Sequence, residues 1–380
     1  MERNLKFLQN YCLLFFLLFS SEILRAGDKR DILLSSYNGE NLFDDQHDKD
    51  PHGKDYDDYN FLNCEEYKKN QHLITVKKFT RNFNQKIHAH ECHNFNKQSV
   101  VRRVSQLEKL KNDLNPANKI SFLFMQEVEN KKMARLIMDA MEFDAFILAD
   151  NSDARGSRQV FFFNRDSRIK KIEKIELSGI LTYSTRPIFI IKLVFLDQPF
   201  VESEYYFVNL HLPSQRSPKR DRLKIIKSLS AYIKTHTSTN AFITNKALNR
   251  KKYWVISGDF NALEKEFENL IKPLTPFGIY DHSKSVDGLK SYYSTFDHQW
   301  LFFDRMLSNF NAQFNIVRKP EMLKKISHKK GRGYFSYTEK KVVPKRWNPR
   351  ARNLNDLGFS DHLPVQLHWS LGINPKVNNW

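Results

Sequence analysis

The chain has 380 residues, is 41% hydrophobic and carries a formal net charge of +18 at neutral pH. It shows no internal repeat and no sharp break in composition, which excludes a repeat array and favours one large α/β domain over two small ones. A charge of that size attracts polyanions: nucleic acid, anionic lipid or phosphorylated sugar.

Arg3 and Lys6, an apolar run from Tyr11 to Phe19, and Ala26 before Gly27 read as a signal peptide over residues 1–26. The apolar run is shorter than the ~20 residues of a spanning helix. Cys12 lacks the small residues that would precede a lipoprotein cysteine. The expectation is therefore export, to a secreted or periplasmic location, with no stable membrane insertion after cleavage. Residues 27–380 are expected to form a single domain. Ile32-Leu33-Leu34 starts a strand leading into Tyr37-Asn38-Gly39-Glu40-Asn41-Leu42-Phe43-Asp44. Residues 40–66 hold ten Asp or Glu against Lys49 and Lys54. Their spacing is a poor match to a calcium loop, because His52 takes a ligand position and no Glu closes it, so a solvated surface loop is expected.

A polar insertion covers about residues 46–115, with one or two helices at its end. From Arg102 to Leu114, Val104, Leu107, Leu110 and Leu114 recur at helical spacing, and Asn115-Pro116 stops the pattern. The insertion contains Cys64 and Cys92, the two cysteines that would remain after cleavage. In an exported chain such a pair is expected to form a disulfide. A rival reading is a metal cluster of His88, His90, Cys92 and His93, which lacks a Cys-x-x-Cys pair.

Phe122-Leu123-Phe124-Met125 is a strand ending in Gln126-Glu127, and a helix through Met133, Leu136 and Ile137 follows. Branched and aromatic strands are predicted at 159–163, 187–195 and 205–210, the last ending in His211. Ser217-Pro218 opens a helix whose buried face is Leu223, Ile226, Leu229 and Ile233. Tyr253 to Ile256 then leads into Ser257-Gly258-Asp259-Phe260-Asn261. Leu301-Phe302-Phe303 ends in Asp304-Arg305, and Ser360-Asp361-His362 precedes a final strand from Leu363 to Trp369. Between these two, residues 318–352 hold 13 Lys or Arg with only Glu321 and Glu339, and Tyr334, Phe335, Tyr337 and Trp347 are interleaved. A basic loop with aromatics suits phosphates and stacked bases. A second basic cluster, Arg216, Lys219, Arg220, Arg222 and Lys224, follows His211.

Seven of these strings resemble, in order, those of the endonuclease/exonuclease/phosphatase superfamily of deoxyribonuclease-like proteins. They are Asn-Gly-Glu-Asn-Leu-Phe-Asp, Gln-Glu-Val-Glu, Thr185-Arg186-Pro187, Asn-Leu-His-Leu-Pro-Ser, Gly-Asp-Phe-Asn, Phe-Asp-Arg-Met and Ser-Asp-His, spanning Asn38 to His362. The resemblance implies a four-layer α/β sandwich: two mostly antiparallel sheets face to face, helices outside, and a site at their shared edge. One departure is the stretch from Arg155 to Val160, where relatives often have a glycine-led apolar strand with an acid, and the acidic partner that some nucleases give the first histidine has no counterpart assigned in this sequence.

The resemblance also implies roles. Hydrolysis of a phosphodiester must neutralise its oxygens, deprotonate water and stabilise the leaving oxygen. Glu127, Asn38 and Asp361 are the expected ligands of Mg²⁺ or, in its place, Ca²⁺ or Mn²⁺. His211, Asp259, Asp304 and His362 are the expected catalytic residues, with Asp304 orienting His362. Asn261 and Arg186 are expected to contact phosphate. Arg186 alone would also fit a salt bridge. Lys324, Lys325, Lys329 and Lys330 are expected to bind the nucleic acid. The reading is an exported, monomeric nuclease cutting DNA, with RNA as a further candidate substrate, and with little sequence preference. The alternatives are a phosphatase or lipid phosphodiesterase of the same superfamily and, from another class, a catalytically inactive polyanion-binding module.

Overall fold

The structure is a computed structural model and describes residues 31–42, 97–153, 156–183, 185–198, 201–237, 251–285, 290–294, 299–330, 337–346 and 359–371. The expected signal peptide, Cys64, Cys92 and most of the acidic stretch lie outside the described residues.

Two six-stranded sheets form the body. The first runs β13 (Gln313–Ile316), β16 (Val365–Ser370), β1 (Asp31–Leu42), β2 (Ile120–Val128), β4 (Arg158–Phe163), β3 (Ala145–Leu148). The second runs β5 (Ile169–Leu177), β6 (Ile188–Gln198), β7 (Val201–His211), β8 (Lys251–Asp259), β12 (Asp304–Ser308), β9 (Tyr280–Asp281). Each sheet has one parallel pair at its centre, β1 with β2 and β7 with β8, and antiparallel neighbours on both sides. The parallel crossover from β7 to β8 carries helix α4 (Lys219–Thr237), as a parallel connection requires. The two sheets are thus α/β and mostly antiparallel, as the sequence implies.

Strand periodicity sorts the side chains between layers. Along β7, Tyr205 and Phe207 join the core between the sheets, where Phe207 meets Phe122 of β2 at 5.2 Å between ring centroids. Tyr206, Val208 and Leu210 point the other way, into a second core with Ile226, Leu229 and Ile233 of α4 and Trp254 of β8. Helix α1 (Lys97–Glu108) and helix α3 (Lys131–Met141), with the short helix α2 (Lys111–Leu114) between them in sequence, add Leu107, Leu114, Met133 and Ile137 to the first core. The expected helix from 102 to 114 starts five residues earlier and breaks around Lys109-Leu110, where Leu110 is fully buried. The buried face of α4 uses Ile225 in place of the expected Leu223, which is only partly buried.

The basic segment departs most from expectation. Most of its described part is a two-stranded antiparallel hairpin, β14 (Leu323–Lys330) with β15 (Tyr337–Pro344), and not a loop. Its base is seated by buried Met322 and Val343 and by Trp300, whose indole N–H donates to the Val342 carbonyl at 3.0 Å. Trp300 belongs to a second hairpin, β10 (Tyr292–Ser294) with β11 (Gln299–Leu301).

Candidate active site

The topology delivers the acids and histidines to one edge. Asn38 and Glu127 lie near the C-terminal ends of β1 and β2. His211 and Asp259 end β7 and β8. Asp304 starts β12, and His362 precedes β16, both of which run antiparallel to their neighbours. In the second sheet His211, Asp259 and Asp304 sit side by side in one row. One row deeper, the apolar core gives way to a polar layer. Gln126 Nε2 donates to Ser36 Oγ at 3.0 Å and, across the gap between sheets, to Asn209 Oδ1 at 2.5 Å. This fixes the two sheets against each other directly beneath the site.

Local backbone geometry aims the side chains. The pairing register of β1 slips between Asn38 and Leu42, and that of β2 between Gln126 and Val128, when paired with β4. Such bulges re-aim a side chain at the end of a strand. Glu40, Glu127 and Asn261 have φ of 54°, 63° and 48°. That left-handed region costs a non-glycine residue on the order of 1 kcal/mol or more, and residues held there cluster at functional sites. Gly258 has φ of 128°, and a Cβ on it would stand 1.9 Å from the Leu210 carbonyl oxygen. Only glycine lets β7 and β8 approach so closely just before Asp259.

The side chains converge on Asp259. Asn38 Nδ2 donates to its Oδ2 at 3.3 Å, with His211 Nε2 at 3.8 Å and His362 Nε2 at 4.0 Å from the same oxygen. His211 Nε2 is also 3.5 Å from Glu127 Oε1. The backbone N–H of Asn261 donates to Asp259 Oδ1 at 2.9 Å. His362 Nδ1 is held by Asp304 Oδ2 at 2.7 Å, which leaves Nε2 facing Asp259. The Tyr292 ring lies 4.7 Å from the imidazole and stacks on Phe303. Burial, then the charge of Asp361, pushes the Tyr292 phenol up to about 12, so it is a donor at neutral pH.

The charges are tightly coupled. Burial pushes Asp259 above the ordinary carboxylate range, and Asp304 and Glu127 add to that, against His362 and the Asn261 N–H. Burial alone would lower His362, but Asp304, Asp361 and Asp259 outweigh it and hold the imidazole well above its usual value. The edge is thus rich in negative charge, and its donors are hard oxygens suited to Mg²⁺ or Ca²⁺. Among the described residues no group of three or more His, Cys, Asp or Glu is arranged to hold a metal ion. A cation here would rest on the Glu127 carboxylate and the Asn38 amide oxygen with waters completing its shell, the usual habit of Mg²⁺.

The other expected residues have partners of their own. Asp361 Oδ2 pairs with Arg346 at 3.3 Å, and its Oδ1 is 3.8 Å from His362 Nε2. The Asn261 amide donates to the Leu212 carbonyl at 3.1 Å, which leaves one N–H of its NH₂ for another acceptor. Arg186 forms a salt bridge with Asp153 at 2.7 Å and reaches the His211 carbonyl at 3.5 Å, so it buttresses the flank of the site. Lys324 and Lys325 are exposed on β14, which also carries Lys329 and Lys330.

Sequence reasoning missed five participants. Gln126 ties the sheets together, and Tyr292 braces His362. Glu40 accepts from Arg346 Nε at 2.7 Å and from the Asp361 N–H at 3.1 Å. Arg103 of α1 donates to the Gly39 and Glu40 carbonyls beneath it. Burial and Asp361 push Glu40 well above the ordinary range, against Arg346 and Arg103. Glu40 stands in plain view in the Asn-Gly-Glu-Asn string, two residues after Asn38. Arg346 has no signal separating it from the twelve other cations of its segment.

No family model and no curated protein matches the chain. Solved structures do. A truncated TDP2 from Caenorhabditis elegans is 14% identical, covering 72% of this chain and 93% of its own, with a TM-score of 0.47. D. rerio TDP2 complexed with a single-strand DNA product is 12% identical, covering 89% and 98%, with a TM-score of 0.48. An endonuclease/exonuclease/phosphatase family protein from Bacteroides thetaiotaomicron is 10% identical, covering 89% and 97%, with a TM-score of 0.47. The chain is similar to these proteins, while the roles of its residues rest on the geometry of its own site.

Proposed function

We propose that the chain is a divalent-cation-dependent phosphodiesterase of the endonuclease/exonuclease/phosphatase superfamily, and that it cuts nucleic acid strands with little sequence preference. The observation that carries this is the convergence of His211 at 3.8 Å, His362 at 4.0 Å and Asn38 at 3.3 Å on one Asp259 oxygen. Asp259, buried and eager for a proton, takes one from the attacking water. His362 stays protonated at neutral pH because Asp304 holds it, and it donates Nε2–H to a phosphate oxygen. His211, on the opposite side of Asp259, is placed to donate to a second oxygen or to the leaving group. The spare amide N–H of Asn261 adds a neutral donor. A divalent cation on Glu127 and Asn38 would withdraw charge from the phosphate oxygens when bound.

The choice of a polymer over a small ester rests on charge. The chain carries +18, and Lys324 and Lys325 are exposed on the hairpin that leads into Arg346, which pairs with Asp361. Export, cleavage of residues 1–26 and a monomeric state belong to the same proposal. The test is hydrolysis of plasmid, linear duplex, single-stranded DNA, RNA and a small activated diester, each with Mg²⁺ and with EDTA. Mg²⁺-dependent cleavage of a nucleic acid is expected. Turnover that survives EDTA, or cleavage of small esters alone, would refute the reading.

A further inference from the structure

At the rim of the site Arg346, the second residue past the end of β15, is gripped along one edge. Its Nε donates to Glu40 Oε1 at 2.7 Å, and Nη2 reaches Glu40 Oε1 at 2.5 Å and Asp361 Oδ2 at 3.3 Å. The acids are themselves fixed. The Asp361 N–H donates to Glu40 Oε2 at 3.1 Å, and the backbone on each side is tied where the Phe359 N–H donates to the Lys345 carbonyl at 2.6 Å. The opposite edge of the guanidinium differs. Nη1 makes no hydrogen bond among the described residues, and 45% of the side chain is exposed. Arg103, buried below, supplies a second positive charge against the two acids, so Arg346 is not needed alone to neutralise them.

A guanidinium held on one edge and open on the other is a preorganised fork for a phosphate. Its place is specific. The single carboxylate of Asp361 spans from Arg346 at 3.3 Å to His362 Nε2 at 3.8 Å. If a scissile phosphate sits at His362, the next phosphate of the same strand falls toward Arg346. We propose that Arg346 forms a subsite for the phosphate adjacent to the scissile one, so that the site favours ligands with at least two linked phosphates. This rests on the nucleic-acid reading above and names the contact that would select a strand over a single ester.

The test is equilibrium competition in EDTA against a fluorescent thymidine oligonucleotide, read by anisotropy on the full chain. The competitors are TpT, with one phosphate, and TpTpT, with two. In the wild type the second phosphate should tighten binding about tenfold, as one charge-assisted fork does. In Arg346→Ala that gain should shrink to about twofold or less, and Arg346→Lys should keep an intermediate gain. Arg346→Gln, a side chain of similar reach, serves should the alanine variant not fold. An equal loss for both competitors would make Arg346 a structural brace and overturn the proposal, as would an undiminished gain in the variants or no gain in the wild type. Wild-type turnover with Mg²⁺, measured on the same oligonucleotide, separates the two ideas. No cleavage alongside an intact two-phosphate gain would sink the hydrolase reading and leave the subsite standing.

Discussion

Replacing Asp304 by Asn would test the electrostatic core of the site, because the two side chains have the same shape and differ in charge. Asp304 and His362 are both buried and meet at 2.7 Å, a charge-assisted bond. Such bonds contribute about 1.5–3 kcal/mol and a neutral one about 0.5–1.5, so the pair should weaken by roughly 1–1.5 kcal/mol. One effect opposes this. Asp304 also raises Asp259, and removing its charge relieves that repulsion. The net loss should therefore be about 1 kcal/mol or slightly less. The sign with pH follows from His362, whose folded pKa lies above its unfolded value. Its stabilisation is complete below about 6.5, the unfolded value, and is lost as pH rises through the folded value. Denaturant unfolding at pH 6 should show the loss, and it should shrink toward high pH. The imidazole signals of His362 in NMR should titrate at lower pH than in the wild type, and the alkaline limb of the pH–rate profile should move down with them, because the imidazolium donor is lost earlier. An unchanged His362 titration in a folded Asp304→Asn protein would refute the reasoning.

Glu127→Gln should weaken Mn²⁺ binding at least tenfold by titration calorimetry, since it removes the carboxylate proposed to hold the cation, while circular dichroism stays unchanged. Replacing Lys324, Lys325, Lys329 and Lys330 by Ala should flatten the log–log salt dependence of duplex binding by up to about four units, one for each phosphate that a lysine neutralises. An unaltered slope would detach the hairpin from substrate binding. His282 takes no part in this chemistry, with Nε2 2.7 Å from Ser308 Oγ. Burial pushes its pKa from 6.5 down to about 4. The unfolded chain therefore takes up a proton that the folded chain refuses as pH falls from 6.5 toward 4. Stability present above 6.5 should drop by about 2–3 kcal/mol across that window. His282→Gln, which can still bond Ser308, should flatten the drop.

The sequence is most legible where two signals coincide. Tyr206 to His211 and Tyr253 to Asp259 combine a buried strand pattern with a polar stop, and both sit where expected. Legibility fails where a strand has no apolar run. β5 reads Ile-Lys-Lys-Ile-Glu-Lys-Ile-Glu-Leu on the edge of its sheet, with no fully buried position along its length. β14 and β15 are hidden likewise, because lysine is abundant both in loops and on exposed hairpins. Arg186 shows the limit for single residues. Its motif fits a phosphate contact or a salt bridge alike, and only the fold shows that Asp153, 33 positions earlier, holds its guanidinium. Glu40 is visible in its string, but its partner is not. Its bond with Asp361 joins residues 321 positions apart, and the bulge that turns it inward leaves no periodic trace.

The central claim is that Asp259 takes the proton of the attacking water at a point shared with His211 and His362. The most direct measurement is single-turnover cleavage of a labelled DNA strand with saturating Mg²⁺ by wild type and Asp259→Asn, with circular dichroism and oligonucleotide binding measured on both. The account predicts that Asp259→Asn folds, binds the strand within a few-fold of wild type and cleaves at least about a hundredfold more slowly, the loss of one general base. Cleavage by Asp259→Asn within a few-fold of the wild-type rate would contradict it.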